Sequence, residues 1–413
     1  MMRLPIPRFG WVCAVLYVVS LMFVVFQGGK TSLMLFVMIN ALGAYLLLGR
    51  WSGIGGVRGA RSLDGTAGAS GMLSAGSRIR VRLQMQIPGF WPLPYIIVRE
   101  KLARATGSET QEYELSFVPD YRRRGAIGYE TAPLRRGRYQ FLATHCSTRD
   151  IFGLFEHKGS FSEPLALRVM PRTIDLLEWR HMKRSRTGAF QQKVTSLWAR
   201  ETTQIDGVRE YIHGDRMSRV HWNATARTGQ WKSKEYEREA LPRFVLVLDC
   251  RQAAYRTADG FELAVSVAAS LLELALRRGM PVGFVSAGAK RAWFGAGRAP
   301  VTREQIMDHL IDIEADGQGE LGEVLHEAAE RFETGANLVL ISPSTDDSTA
   351  VALDALDSRR IAPSHVHIAE RAPTSEDSRR LGHWSRLFQA KHWEVCTVAR
   401  LEDLPRAMEA GSA

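Results

Sequence analysis

After Pro242, short apolar runs alternate with longer amphipathic ones up to residue 400, and no other feature restricts the fold as much. "RFVLVLDC" has the length and β-branched content of a buried strand, "FELAVSVAASLLELALRRG" is an apolar helix stopped at Gly279, and "PVGFVSAG" is a second strand. Helical patterns in "TREQIMDHLIDIEA", "LGEVLHEAAERFETG" and "SRRLGHWSRLFQAK" then alternate with the strands "NLVLIS", "SHVHIA" and "WEVCTVA". Such alternation predicts an open, mostly parallel α/β sheet of Rossmann-type topology, with helices on both faces. In that architecture ligands bind at the carboxyl ends of the strands. The first strand ends at Asp249, yet neither GxGxxG nor GxxxxGK[ST] follows, which excludes the phosphate loops of dinucleotide and nucleotide sites.

The amino-terminal end reads differently. No charge interrupts Phe9 to Phe26 or Ser32 to Leu48, and each run approaches the roughly 20 residues that cross a bilayer core. The reading is a transmembrane helical hairpin, with Arg3, Arg8, Arg50, Arg58 and Arg61 outside it and only Lys30 in the turn. By the positive-inside rule this predicts a multi-pass membrane protein whose bulk is cytoplasmic and whose first partner is the lipid bilayer.

Between these ends the apolar period falls to two. "RIRVRLQMQI", "YIIVREKLA", "EYELSFVP" and "GRYQFLATHCSTRD" alternate like half-buried strands, predicting a small antiparallel sandwich or barrel. The expected division is a hairpin at 1–51, with spans at about 9–26 and 32–48, and a Gly/Ser/Ala-rich linker at 52–77. A β-rich module follows at 76–172, a linking segment at 173–241, the α/β domain at 242–400 and a tail at 401–413. The arginine runs "YRRRG" and "LRRGRY" read as turn and edge charge that discourages edge pairing. The net charge of +10 is uneven, basic before residue 239 and acidic after it. No nucleic-acid-binding module accompanies the basic part, so nucleic acid is not an expected partner. The four cysteines form no CxxC pair, which argues against a zinc cage or a disulfide framework.

The stretch "REYIHGDRMSRVHWNATARTG" concentrates reactive side chains. Its spacing predicts a helix of about three turns, with Asp215 as N-cap and Gly229 at the left-handed C-terminal position. Met217, Val220, His221 and Ala224 then share one face, and Arg216, Arg219, Asn223 and Arg227 form a stripe beside it. An enzymatic reading would recruit His213, Asp215 and His221 as metal ligands or acid/base groups, but capping occupies Asp215 and no third ligand has a compelling spacing. The bland reading pairs the stripe with Glu235, Glu237 or Glu239. The alternative is that its guanidinium forks grip a partner's acids. No catalytic residue and no metal ligand is expected.

Two resemblances follow from these residues. A strand ending in Asp, followed by a long helix, resembles a von Willebrand factor A domain, whose metal-ion-dependent adhesion site reads Asp-x-Ser-x-Ser. Here Asp249-Cys250-Arg251-Gln252-Ala253 lacks both serines, leaving a degenerate position at Asp249 where a divalent cation is not expected. The stretch from Arg209 also resembles the signature of the bacterial domain of unknown function 58 family, matching at Arg209, Glu210, Tyr211, Gly214, Asp215, Arg219, Val220, His221, Trp222, Thr225, Ala226 and Arg227. "APLRRGRYQF" and "STRDIFGLFEHK" resemble further elements of that family, with Ile151 where proline is usual. The resemblance implies a membrane-anchored protein with a β-rich and a von Willebrand A-like module. It also implies a MoxR-type AAA+ ATPase as partner, sometimes with a transglutaminase-like membrane protein. The expected function is a non-enzymatic adaptor or scaffold of the bacterial inner membrane, without cofactor, working with that ATPase in the assembly or maturation of other proteins. The alternatives are a metal-dependent hydrolase using His213, Asp215, His221 or Asp249, and a module that binds anions or lipid through its arginines.

Overall fold

The computed structural model describes residues 6–50, 53–64, 72–89, 92–106, 109–149, 156–177, 179, 200–213, 215–239, 244–295, 302–332, 335–369 and 374–410. The chain forms two compact units, Met1–Val169 and Met170–Ala413.

The first unit opens with two helices, α1 (Ile6–Gln27) and α2 (Lys30–Arg50). Among the described residues no helix is long and apolar enough to cross a membrane. The two expected spans are therefore corrected, and with them the multi-pass inner-membrane location. Freedom from charge is a weaker condition than a full-length apolar helix. Polar Ser20, Ser32 and Asn40 punctuate the runs, turning their side chains onto the carbonyls of Tyr17, Gly28 and Phe36.

Ten strands follow: β1 (Arg58–Asp64), β2 (Met72–Ser74), β3 (Arg80–Gln86), β4 (Ile96–Arg104), β5 (Thr110–Phe117), β6 (Arg124–Glu130), β7 (Gly137–Phe141), β8 (Thr144–Arg149), β9 (Glu156–Phe161) and β10 (Ala166–Met170). One sheet has the order β1-β3-β6, and the other β2-β10-β7-β4-β8-β9, with β5 also paired to β4. β1 and β2 form within the stretch whose composition reads as a linker. Strict alternation along β3 sends Val81, Leu83 and Met85 into the core with Ile96, Val98 and Leu102. Glu100 is buried there, accepting hydrogen bonds from Arg61, Thr144 and the Tyr129 hydroxyl. Arg123 and Arg136, from the runs read as surface charge, are also buried.

The second unit contains a hairpin, β11 (Arg200–Glu210) with β12 (Lys232–Glu239), and a six-stranded sheet. The sheet strands are β13 (Phe244–Asp249), β14 (Val282–Ala287), β15 (Ala292–Phe294), β16 (Asn337–Ser342), β17 (Ala362–Ile368) and β18 (Glu394–Val398), in the order β15-β14-β13-β16-β17-β18. The sheet is mixed: β15 runs antiparallel to β14, and the remaining neighbours are parallel. The short "RAWF" run returns directly from β14 without a crossover helix, which forces the opposite direction.

The helices of the second unit are α3 (Trp222–Thr228), α4 (Ala258–Arg277), α5 (Arg303–Asp312), α6 (Leu321–Arg331), α7 (Asp347–Ser358), α8 (Ser375–Ala390) and α9 (Leu404–Ala410). β13 explains the layering: Phe244, Leu246 and Leu248 join one apolar cluster with α4 and α5, while Val245 and Val247 join another with α6, α7 and α8. Leu404 and Met408 of α9 complete the first cluster, as do Leu176 and Trp179 from the linking segment. The Trp179 ring meets Phe244 edge-on at 5.3 Å.

Candidate functional site

The residues singled out by the sequence fall in two places within the second unit. The first is the end of the β11–β12 hairpin. Arg209 pairs across the ladder with Ser233, and Glu210 with Lys232. Arg209 Nη2 donates to Asp215 Oδ1 at 2.7 Å, the Ile212 N–H donates to Asp215 Oδ2, and the Tyr211 hydroxyl donates to the Asp215 carbonyl. The Arg209 guanidinium, helped by the Ile212 N–H, holds the Asp215 carboxyl below its ordinary range. Asp215 thus closes the hairpin turn and is not a helix cap.

The expected three-turn helix is correspondingly divided. Met217–Arg219 form one 3₁₀ turn, after which Val220 bridges to Ser233 and the His221 N–H donates to the Lys232 carbonyl. These bonds return the backbone to β12 and interrupt the helix. α3 then starts afresh, with His221 Nδ1 accepting from the Ala224 N–H at 3.1 Å as the cap. Its end matches the expectation, since Gly229 adopts φ 70° and donates to Thr225.

This local fold decides what the side chains can do. His221 Nδ1 and both Asp215 oxygens are occupied by backbone or by Arg209, so His213, Asp215 and His221 do not converge on an open ligand position. No group of three or more His, Cys, Asp or Glu is placed to hold a metal ion among the described residues. Gly214, and residues 150–155 of the second family-like element, lie outside the described residues, as do the side chains of Glu235, Glu237 and Glu239. Among the residues the hairpin end exposes are four large apolar ones: Ile212 is 63% exposed, Trp222 59%, Met217 53% and Trp231 49%. The Trp231 ring lies 5.5 Å from Tyr211 and 6.1 Å from Trp222, forming an aromatic row. Arg216 and Arg227 are exposed beside it and make no ion pair among the described residues, whereas Arg219 is half-buried and partnered.

The second place is the end of β13. Asp249 is fully buried. Its Oδ1 accepts from the N–H and Nε of Arg251, each at 3.0 Å, and its Oδ2 accepts from Arg251 Nη2 at 2.9 Å and Ser342 Oγ at 2.7 Å. Arg251 Nη2 also donates to Ser344 Oγ at 2.7 Å. Burial opposes the Arg251 charge, but the Asp249 carboxylate keeps the guanidinium protonated. The carboxylate is therefore saturated by an arginine two residues on and a serine from β16. Arg251 is visible in the sequence as a charge; Ser342, the last residue of β16, and Ser344, just beyond it, are not connected with the strand end by any local pattern, because each lies 93 residues from the residue it bonds.

Ser342 extends this network sideways. Its carbonyl faces His365 Nε2 at 3.0 Å, and Trp384 Nε1 donates to His365 Nδ1 at 2.8 Å. Since indole nitrogen only donates, Nδ1 must accept and the His365 proton is on Nε2. The imidazole bonds a backbone carbonyl and not the Ser342 hydroxyl, so this is a brace and not an activated nucleophile. Burial pushes His365 down to about 3 and His367 to about 4.

Among solved structures, the chain is similar to proximal thread matrix protein 1 from the mussel byssus, at 12% identity and a TM-score of 0.28, over 41% of this chain and 46% of that one. It is also similar to the CARDB domain of the PF1109 protein from Pyrococcus furiosus, at 11% identity and a TM-score of 0.17, over 27% of this chain and 86% of that one. Both scores are low. In sequence it is 25% identical over 317 residues to the "Uncharacterized protein YeaD" of Bacillus subtilis (strain 168), covering 75% of this chain and 76% of that protein. Residues 207–367, from the hairpin turn to β17, match the family described as "Protein of unknown function DUF58".

Proposed function

We propose that this chain is a non-enzymatic adaptor that docks another protein, a MoxR-type AAA+ ATPase, on the aromatic and arginine face of the β11–β12 hairpin. The observation that carries this reading is the row Tyr211, Trp231 and Trp222, with exposed Ile212 and Met217 and with exposed Arg216 and Arg227, which make no ion pair among the described residues. Contiguous exposed apolar surface marks interaction sites, and tryptophan and arginine dominate the energetics of protein interfaces. The engagement of His221 Nδ1 and of both Asp215 carboxylate oxygens supports a binding role over a hydrolytic one. The strand order β15-β14-β13-β16-β17-β18, with an antiparallel edge, supports a von Willebrand A-like reading of the sheet unit, one in which Arg251 takes the place beside Asp249.

Co-purification of the tagged full chain with the MoxR-type ATPase of the same cells tests the proposal. Trp222→Ala with Trp231→Ala should reduce recovery by about tenfold or more, the effect of removing hot-spot anchors. Arg216→Glu with Arg227→Glu should do the same without disturbing the fold, since both side chains are exposed. Recovery unchanged in both double variants, or no ATPase recovered with the intact chain, would sink the proposal.

A further inference from the structure

The loop between α5 and α6 lies across the ends of β13 and β14. The Gly317 N–H donates to the Cys250 carbonyl at 2.9 Å, and the Gln252 N–H donates to the Gly317 carbonyl at 3.1 Å. A Cβ at Gly317 would come within 2.5 Å of the Ala287 carbonyl oxygen, so only glycine lets the loop approach this closely. Thus pinned, the loop and the strand ends enclose a cavity of about 390 Å³ lined by Arg251, Ala289, Arg291, Asp316 and Glu320 among others. That volume is in the range of small-molecule sites.

The charges lining the cavity are of both signs. Arg251 has Nε and Nη2 committed to Asp249 and Ser344, while Nη1 makes no hydrogen bond among the described residues and the side chain is 18% exposed. Arg291 is engaged by Glu323 and Glu327. Asp316 Oδ1 takes the Ala289 N–H, but Oδ2 has no partner among the described residues. Glu320 is exposed, and its side chain does not cap α6. The cavity therefore combines one anchored guanidinium edge with two carboxylates that still have acceptor capacity. A simple anion would be repelled by Asp316 and Glu320, and a simple cation would leave the open Nη1 edge of Arg251 without an acceptor.

We propose that this cavity binds a small zwitterion, a free α-amino acid or a dipeptide, whose carboxylate is taken by Arg251 and whose ammonium is taken by Asp316 and Glu320. The arginine is held on three sides before any ligand arrives, so little ordering remains to be done on binding. The proposal is independent of the hairpin face.

Isothermal titration of the full chain with alanine, Ala-Ala, N-acetylalanine and alaninamide tests it. At least one of alanine and Ala-Ala should bind saturably in the millimolar range or tighter, the stronger of the two identifying a free amino acid or a dipeptide. N-acetylalanine, which lacks the ammonium, and alaninamide, which lacks the carboxylate, should each bind about tenfold more weakly or worse. Glu320→Gln should weaken binding several-fold and Ala289→Trp, which fills the cavity, should abolish it, and neither substitution removes a hydrogen-bond partner of Arg251 or Asp249. The proposal is overturned if the half-ligands bind as well as the zwitterion, if Ala289→Trp leaves binding intact, or if neither zwitterion binds.

Discussion

Arg251 and Asp249 show how one residue pair can fix the end of a strand. Because Asp249 is wholly buried, removing its counter-charge leaves an uncompensated carboxylate; Arg251→Ala is expected to cost about 3–5 kcal/mol in urea denaturation. Replacing both residues by apolar ones of similar size should cost clearly less than the sum of the Arg251→Ala and Asp249→Ala losses, and a double loss equal to that sum would show that the pair is not coupled. His365 and His367 add a pH dependence at the same scale. Each imidazole takes up its proton near pH 6.5 when unfolded but only near about 3 and about 4, respectively, when folded. Their folded pKa values are depressed, so unfolding binds protons, and the stability is complete above about pH 6.5 and lost as pH falls toward those values. Melting followed by circular dichroism from pH 7 to 4 should show a falling midpoint. A His367→Phe variant should show a shallower fall; an identical slope would rule out His367 as a contributor.

At the scale of elements, α3 depends on its caps because it has two turns and no buried residue. His221→Ala should cost about 0.5–2 kcal/mol, the usual effect of losing an N-cap, read from the chemical denaturation midpoint. Gly229 was legible as a cap because a glycine after a periodic segment signals a left-handed terminus. The start of the helix was not, since Asp215 has an N-cap's chemistry but is captured by Arg209 from the preceding strand, a tertiary contact that no local pattern encodes. The same reason hides Ser342, Ser344 and Trp384, which reach Asp249, Arg251 and His365, respectively, from distant parts of the chain. The buried Arg123 and Arg136 are a further case: as letters in "YRRRG" and "LRRGRY" they resemble any surface arginines, and only the close packing around Gly89, where a Cβ would collide with Arg123, fixes the inward course of one of them.

For the whole molecule, five of the six strands between Phe244 and Val398 correspond to apolar runs legible as strands and β15 does not, while β1 and β2 arise in the stretch that reads as a linker. The antiparallel direction of β15 depends on loop length more than on its residues, and the amino-terminal helices show that a charge-free run is insufficient evidence for a membrane span. The boundary near residue 242 also shifts, because Leu176 and Trp179 pack on the Phe244 face of the sheet. A fragment of residues 170–413 should therefore unfold cooperatively and at higher denaturant than one of residues 242–413; equal midpoints would mean that the Trp179 contact is dispensable. Of the hairpin's residues from 207 to 234, only Val220 and Ser233 are buried among those described, so it holds little hydrophobic surface to resist opening. Its amides should exchange with deuterium well before those of β13, and the docking face would be set on the part of the second unit that opens and recloses most often.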